Sequence, residues 1–256
     1  MLLSSPIGSF VREADGWCFD PDIEALDVDV DLELYLGDLL GRLGDLSSRK
    51  PPEDLEARLA RADVRARPPL SVEPSADARK KAGLRAATAS ERRRQQARLG
   101  AGLHRLETLA PELGALRTRR VRVLENGPKG GIACAPASAI PSRLAQLSAF
   151  IARNRSRSPA LTAIYAYALF LFIHPFADEN GRTARQLLAA MLRPETGGDE
   201  PLLFAPVMNL FEGELSECMH DLIFRGGWAA FTARLAAIIT IYIEATIQVT
   251  TCDHVD

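Results

Sequence analysis

The chain is poor in the residues from which metal sites and disulfide frameworks are usually built. Its four cysteines, Cys18, Cys134, Cys218 and Cys252, are scattered with no C-x-x-C pair. That spacing argues against a zinc site and against a disulfide scaffold, and suits thiols in a reducing compartment. His220 has no metal-capable partner four residues away on either side, so it reads as a surface or satisfied histidine. Neither sign of charge dominates: the net charge is −2 over 256 residues, which gives no whole-chain pull toward nucleic acid or a membrane. The start, Met1-Leu2-Leu3-Ser4-Ser5-Pro6, lacks the basic and long apolar regions of a secretory signal. The apolar run Ala160–Ile173 is shorter than the about 20 residues that cross a bilayer. The later run, 229–249, carries Arg234 and Glu244 and fits a protein core. No repeat of 20–50 residues is visible. What is present is an ordinary globular mixture, 47% hydrophobic and 25% charged. The expectation is a cytoplasmic protein, or one delivered into a host cell as an effector, with no membrane partner.

Along the chain, residues 1–30 show no sustained period. Asp27, Asp29, Asp31 and Glu33 then alternate with Val28, Val30, Leu32 and Leu34, as in a half-buried strand or the acidic start of a helix. Leu36, Leu39, Leu40 and Leu43 continue at helical spacing. The acids could hold a metal, but a solvated face is the favoured reading. Pro51-Pro52 opens a predicted helix to about Asp63, broken at Arg67-Pro68-Pro69. The basic stretch from Arg79 to Arg98 reads as a solvated helix or linker; without interleaved aromatics, a nucleic-acid partner is not expected.

From about Gln96 the pattern is that of a packed domain. Leu99, Leu103, Leu106 and Leu109 form a helical stripe. Residues 117–124 read as a strand, 126–131 as a dense turn and 132–135 as its return, giving a β-hairpin over 121–135. Leu144, Leu147, Phe150 and Ile151 mark a helix, and Ser158-Pro159 the N-cap and first residue of the next. That next helix is apolar on every side, so it should be enclosed by others. It must stop at His174-Pro175. After a loop at 194–201, two more helical segments follow, separated by Gly226-Gly227 and ending with one opened by Trp228.

The densest chemistry lies between two apolar segments: His174-Pro175-Phe176-Ala177-Asp178-Glu179-Asn180-Gly181-Arg182-Thr183-Ala184-Arg185. So much polarity beside a buried helix is costly unless a network or ligand satisfies it. Asn180-Gly181 is turn chemistry, and Arg182 and Arg185 lie three apart on the helix that begins there. Amides at a helix N-terminus with two guanidinium groups make a phosphate site. Asp178 is a hard oxygen ligand for Mg²⁺ shared with phosphates, and His174 a base for an incoming hydroxyl. Together they suggest transfer of a phosphorus-containing group from a nucleotide to a hydroxyl.

The pattern His-Pro-Phe-x-Asp-x-Asn-Gly-Arg-x-x-Arg resembles the signature of the Fic family, enzymes that mostly transfer AMP from ATP to target proteins. The resemblance implies an all-α, Fic-type helical bundle with one small β-hairpin flap, over residues 95–256. It leaves 1–94 as an N-terminal helical region with a basic linker. It further implies protein AMP transferase activity that uses ATP and Mg²⁺. His174 would be the general base toward a Ser, Thr or Tyr hydroxyl, Asp178 the metal ligand and Phe176 a structural anchor. Asn180, Gly181, Arg182 and Arg185 would bind the nucleotide, with Glu179 in the same turn. A target protein would dock on the flap around 121–135.

Two features depart from the resemblance. Glu179 stands where the family usually has Gly. It could turn outward, brake the site by pairing with Arg182 or Arg185, or accompany a different donor, such as one supplying UMP, phosphate or phosphocholine. A catalytically weak nucleotide-binding module is the other alternative. Glu73 falls where family members with an N-terminal inhibitory helix carry their inhibitory glutamate, yet Pro69 and Pro74 flank it. An exposed loop position is therefore favoured over an inhibitory one. A poor internal inhibitory motif also fits a toxin silenced by a separate antitoxin.

Overall fold

The run that is apolar on every side becomes the central helix. From Ala160 to Ile173, every residue but Leu171 is buried. The computed structural model describes residues 3–13, 16–28, 30–46, 89–123, 132–193 and 202–247. The predicted helix at 51–63, Glu73 with its flanking prolines, the hairpin tip and the loop at 194–201 lie outside the described residues.

In chain order the elements are β1 (Leu3–Ser5), β2 (Gly8–Glu13), β3 (Gly16–Pro21), α1 (Val30–Leu46), α2 (Ala89–Gly102), α3 (Leu106–Leu113), β4 (Arg122–Val123), β5 (Ile132–Ala133), α4 (Ile140–Asn154), α5 (Pro159–Ile173), α6 (Asn180–Leu192), α7 (Ala205–Leu210), α8 (Glu212–Arg225) and α9 (Trp228–Ile247). The fold is predominantly helical, as expected. β4 and β5 form the expected antiparallel hairpin, with Arg122 opposite Ala133 and Val123 opposite Ile132.

A second sheet was not foreseen. β1, β2 and β3 form an antiparallel meander with Phe10 opposite Phe19 and Arg12 opposite Trp17. Cys18 and Phe19 are neighbours on opposite faces of β3, yet both are buried. Burial on both faces removes the polar–apolar alternation by which a strand is read. Phe19 packs edge-on against Phe172 of α5 at 5.4 Å between centroids. The alternating acids at 27–33 resolve into the start of α1 rather than a strand.

This N-terminal part shares one core with the rest: Ile7, Phe19, Ile23, Val28, Leu36 and Leu43 belong to the same buried cluster as α4–α9. Its polar links are specific. Arg143 of α4 holds both carboxylate oxygens of buried Asp20, through Nε at 2.6 Å and through Nη2. Gln146 donates to Glu24 at 3.0 Å.

The two ends of α5 depart from expectation in related ways. Ser158 stands at the N-cap position, but its hydroxyl makes no capping bond. Glu33 of α1 does so instead, accepting the N–H of Ala160 at 3.1 Å and of Leu161 at 2.8 Å. A carboxylate on the orphan amides of a helix start is favourable on both hydrogen-bonding and dipole grounds. At the other end, Arg117 does not join an alternating strand; the strand is only Arg122–Val123. Arg117 is 5% exposed and reaches the last carbonyls of α5.

α2 is anchored rather than wholly solvated. Gln96 is buried and donates to Gln186 of α6 at 2.8 Å and to the Leu202 carbonyl at 2.9 Å. α9 is long and apolar enough to cross a membrane, but its face through Phe231, Leu235, Ile239 and Ile243 is buried in the core. Gly226 ends α8 in the left-handed region at φ 67°, where a Cβ would also meet Pro6 at 2.9 Å. Only glycine suits that corner.

Candidate active site

The site is the turn from α5 into α6. α5 cannot continue into His174-Pro175, and the chain leaves it with His174 in the left-handed region, at φ 49°. The His174 N–H closes the helix on the Phe170 carbonyl at 2.9 Å. On the imidazole, Nδ1 lies 3.3 Å from the Leu171 carbonyl. A carbonyl can only accept, so this contact calls for Nδ1–H and leaves Nε2 as the acceptor. Burial pushes the ring's pKa down to about 4; Arg117 also lowers it, while the Leu171 bond and Asp178 act in the opposite direction. The imidazole is therefore neutral at pH 7.

The loop is then fixed by its own residues. Phe176 is buried beside Phe170 and bridges to Leu116. Asn180 accepts the Phe176 N–H and donates to the Phe176 carbonyl, both at 2.9 Å. One donor and one acceptor position of its carboxamide thus hold the loop in shape. Asp178 is exposed, and its Oδ1 accepts the Glu179 N–H at 2.6 Å.

Glu179 stands at the N-cap position of α6 in the left-handed region, at φ 68°. That conformation costs a side chain about 1–2 kcal/mol relative to glycine. Its carboxylate pairs with the Arg182 guanidinium at 2.6 Å, both side chains being about half exposed. Gly181 opens the helix against Arg185; a Cβ there would sit 3.4 Å from Arg185 Nη1. Arg185 is largely buried, which lowers its pKa, while Tyr167 and Glu212 partly offset this. Its Nε is buried with no hydrogen-bond partner. A buried cation with an unsatisfied donor beside a helix N-terminus is set up for an anion.

Of the residues expected from sequence, His174, Phe176, Asp178, Glu179, Asn180, Gly181, Arg182 and Arg185 come together in this turn; Glu73 lies outside the described residues. The hairpin base is adjacent, with Ala135 N–H on the Phe172 carbonyl at 3.2 Å. Arg117 and Glu33 escaped the sequence reading, because bonds to carbonyls and amides 57 or 127 residues away leave no local pattern.

The residues fit a magnesium ion only in one manner. Among the described residues, no three His, Cys, Asp or Glu side chains gather as a metal site. A single carboxylate, Asp178, suits an ion that arrives on the phosphates of a nucleotide.

Residues 94–192 match the Fic/DOC family. No curated protein sequence matches the chain. Among solved structures, the chain is similar to a crystal structure of a Fic family protein from Desulfovibrio desulfuricans G20. The two have 18% identity and a TM-score of 0.51, over 88% of this chain and 74% of that one. At that identity the likeness speaks for the fold. Residues 94–192 thus match the Fic/DOC family, and they sit in a Fic-type helical fold.

Proposed function

We propose that the protein is a protein AMP transferase, moving AMP from ATP to a Ser, Thr or Tyr hydroxyl of a target protein. The observation that carries this reading is His174. It is a neutral imidazole with Nδ1 on the Leu171 carbonyl, beside a helix N-terminus flanked by two arginines.

In this reading His174 Nε2 takes the proton of the target hydroxyl. The hydroxyl oxygen attacks the α-phosphorus, the bond from that phosphorus to the bridging oxygen breaks, and pyrophosphate leaves. Arg182 and Arg185, with the first amides of α6, stabilise the charge that develops on the phosphates. Asp178 would hold Mg²⁺, which neutralises phosphate charge when bound. Asn180 keeps the turn in shape through Phe176. The β4–β5 hairpin offers a strand edge to an extended target segment.

One observation favours a second donor. The Glu179 carboxylate already occupies Arg182 and adds negative charge where distal phosphates would lie. A donor with a less anionic distal end, such as a diphosphate whose terminal phosphate is esterified to choline and which transfers phosphocholine, meets less repulsion there. Incubation with a panel of labelled donors, followed by mass spectrometry of modified protein, separates the two by the mass added. An AMP increment supports the first reading. His174→Ala should abolish the modification while keeping the fold, and undiminished labelling by that variant refutes the assignment.

A further inference from the structure

We propose that Arg117 is the positioning residue that holds the His174 ring and the base of the β4–β5 hairpin in one fixed relation. An acceptor strand docked on the hairpin would then present its hydroxyl in register with the base. This rests on the reading of His174 as general base.

The geometry is that of a hub. Arg117 Nε donates to the His174 carbonyl at 2.6 Å and Nη2 to the Ile173 carbonyl at 3.0 Å. These carbonyls end α5 and have no intrahelical donor of their own. The same guanidinium donates through Nη1 to the Arg119 carbonyl at 2.9 Å, and through Nη2 to the Ala135 carbonyl. Arg119 and Ala135 lie just outside the two hairpin strands. The Arg117 N–H adds a bond to the Pro175 carbonyl at 2.9 Å, and neighbouring Leu116 bridges to Phe176. One buried fork thus joins the helix end, the catalytic loop and both sides of the hairpin.

That arrangement explains how a histidine persists in a left-handed conformation. Such residues stay where the surroundings over-determine them, and here the carbonyls on both sides of the His174–Pro175 bond are held by Arg117. The ring's contact with the Leu171 carbonyl depends on that backbone. Lysine cannot replace the fork, since an ammonium is a point charge without its fixed spread of donors. The charges that act on the ring are those of Arg117, which lowers its pKa, and Asp178, which raises it. These bonds run to the end of α5 and to the hairpin, so the effect of Arg117 should fall on the base and the acceptor.

The test uses the full-length protein as Arg117→Lys and Arg117→Met, with ATP and magnesium as the probe. In the wild type, nitrogen NMR of His174 should show the single Nδ1–H tautomer. In Arg117→Lys that signal should give way to mixed tautomers. ATP binding by calorimetry should stay within about twofold, while the transfer rate at saturating ATP falls roughly 100-fold, the scale of a small misplacement of reacting groups. A wild-type His174 spectrum in Arg117→Lys overturns the proposal. So does a parallel loss of ATP binding and rate, which would mean general disruption. If Arg117→Met fails to fold, Arg117→Lys decides alone. A wild type that transfers no group refutes the general-base reading, and the His174 spectrum still decides whether Arg117 sets the ring.

Discussion

A histidine whose ring titrates near pH 4 stays neutral across the range in which most enzymes work. The rate of transfer should therefore be flat in its acid limb from about pH 8 down to about pH 5, falling only as His174 protonates. A limb near 6.5 in the pH profile of kcat/KM would show that burial does not hold the ring neutral. The same shift has a stability consequence. The unfolded ring titrates at its ordinary 6.5 and the folded one at about 4. The unfolded chain takes up the proton first as pH falls, so the contribution is complete above 6.5 and is lost toward 4. Urea denaturation at pH 7 and pH 5 should show a smaller loss for His174→Ala than for the wild type. Glu179 offers a second test at this scale. Glu179→Gly removes left-handed strain of about 1–2 kcal/mol and forfeits an exposed ion pair worth less than about 1 kcal/mol. Its denaturation midpoint should hold or rise, and ATP affinity should rise at least about fivefold as a like charge leaves the phosphates. Glu179→Gln removes the charge but keeps the strained backbone, so it should gain affinity without stability. A variant that binds ATP no better by calorimetry sinks the idea that Glu179 restrains the site.

At the scale of elements, what could be read from the sequence divides by where the bonds run. α5 was legible because nearly all of its residues are apolar and buried. The turn into α6 was legible because its chemistry is packed into a dozen adjacent positions. The hairpin was found but drawn too long, since Arg117 looked like one of a row of alternating arginines and is instead turned inward. β1–β3 went unread because Cys18 and Phe19 are buried on opposite faces. Ser158 shows the subtler failure: the right residue at the right position, with the capping done by Glu33. The two amides it satisfies are worth about 1–2 kcal/mol as an N-cap. Glu33→Ala should lose that much in denaturant titration, and Glu33→Gln, which keeps an acceptor, should fall between. If Glu33→Ala is as stable as the wild type, Ser158 has taken over and the cap is redundant.

For the whole molecule, the N-terminal sheet and α1 are part of the core on which the site stands. Ile7, Phe19, Ile23 and Val28 are buried with the helices, and Asp20 neutralises Arg143. A chain shortened to begin at Val30 would expose the Phe172 end of α5, just before His174, and strand a partly buried guanidinium. Its thermal transition, followed by circular dichroism, should lose cooperativity, and a sharp wild-type transition would contradict this. α5 has no charged residue of its own, yet it receives an anion at its start and a cation at its end, both from other elements. Glu33 and Arg117 both precede α5 in the chain. On the ribosome, where chains emerge at about 5–20 residues per second, both partners have left before the first turn of α5 appears. The helix that delivers His174 thus meets its two terminal charges already synthesised, and vectorial growth of the chain favours seating it in the right place at once.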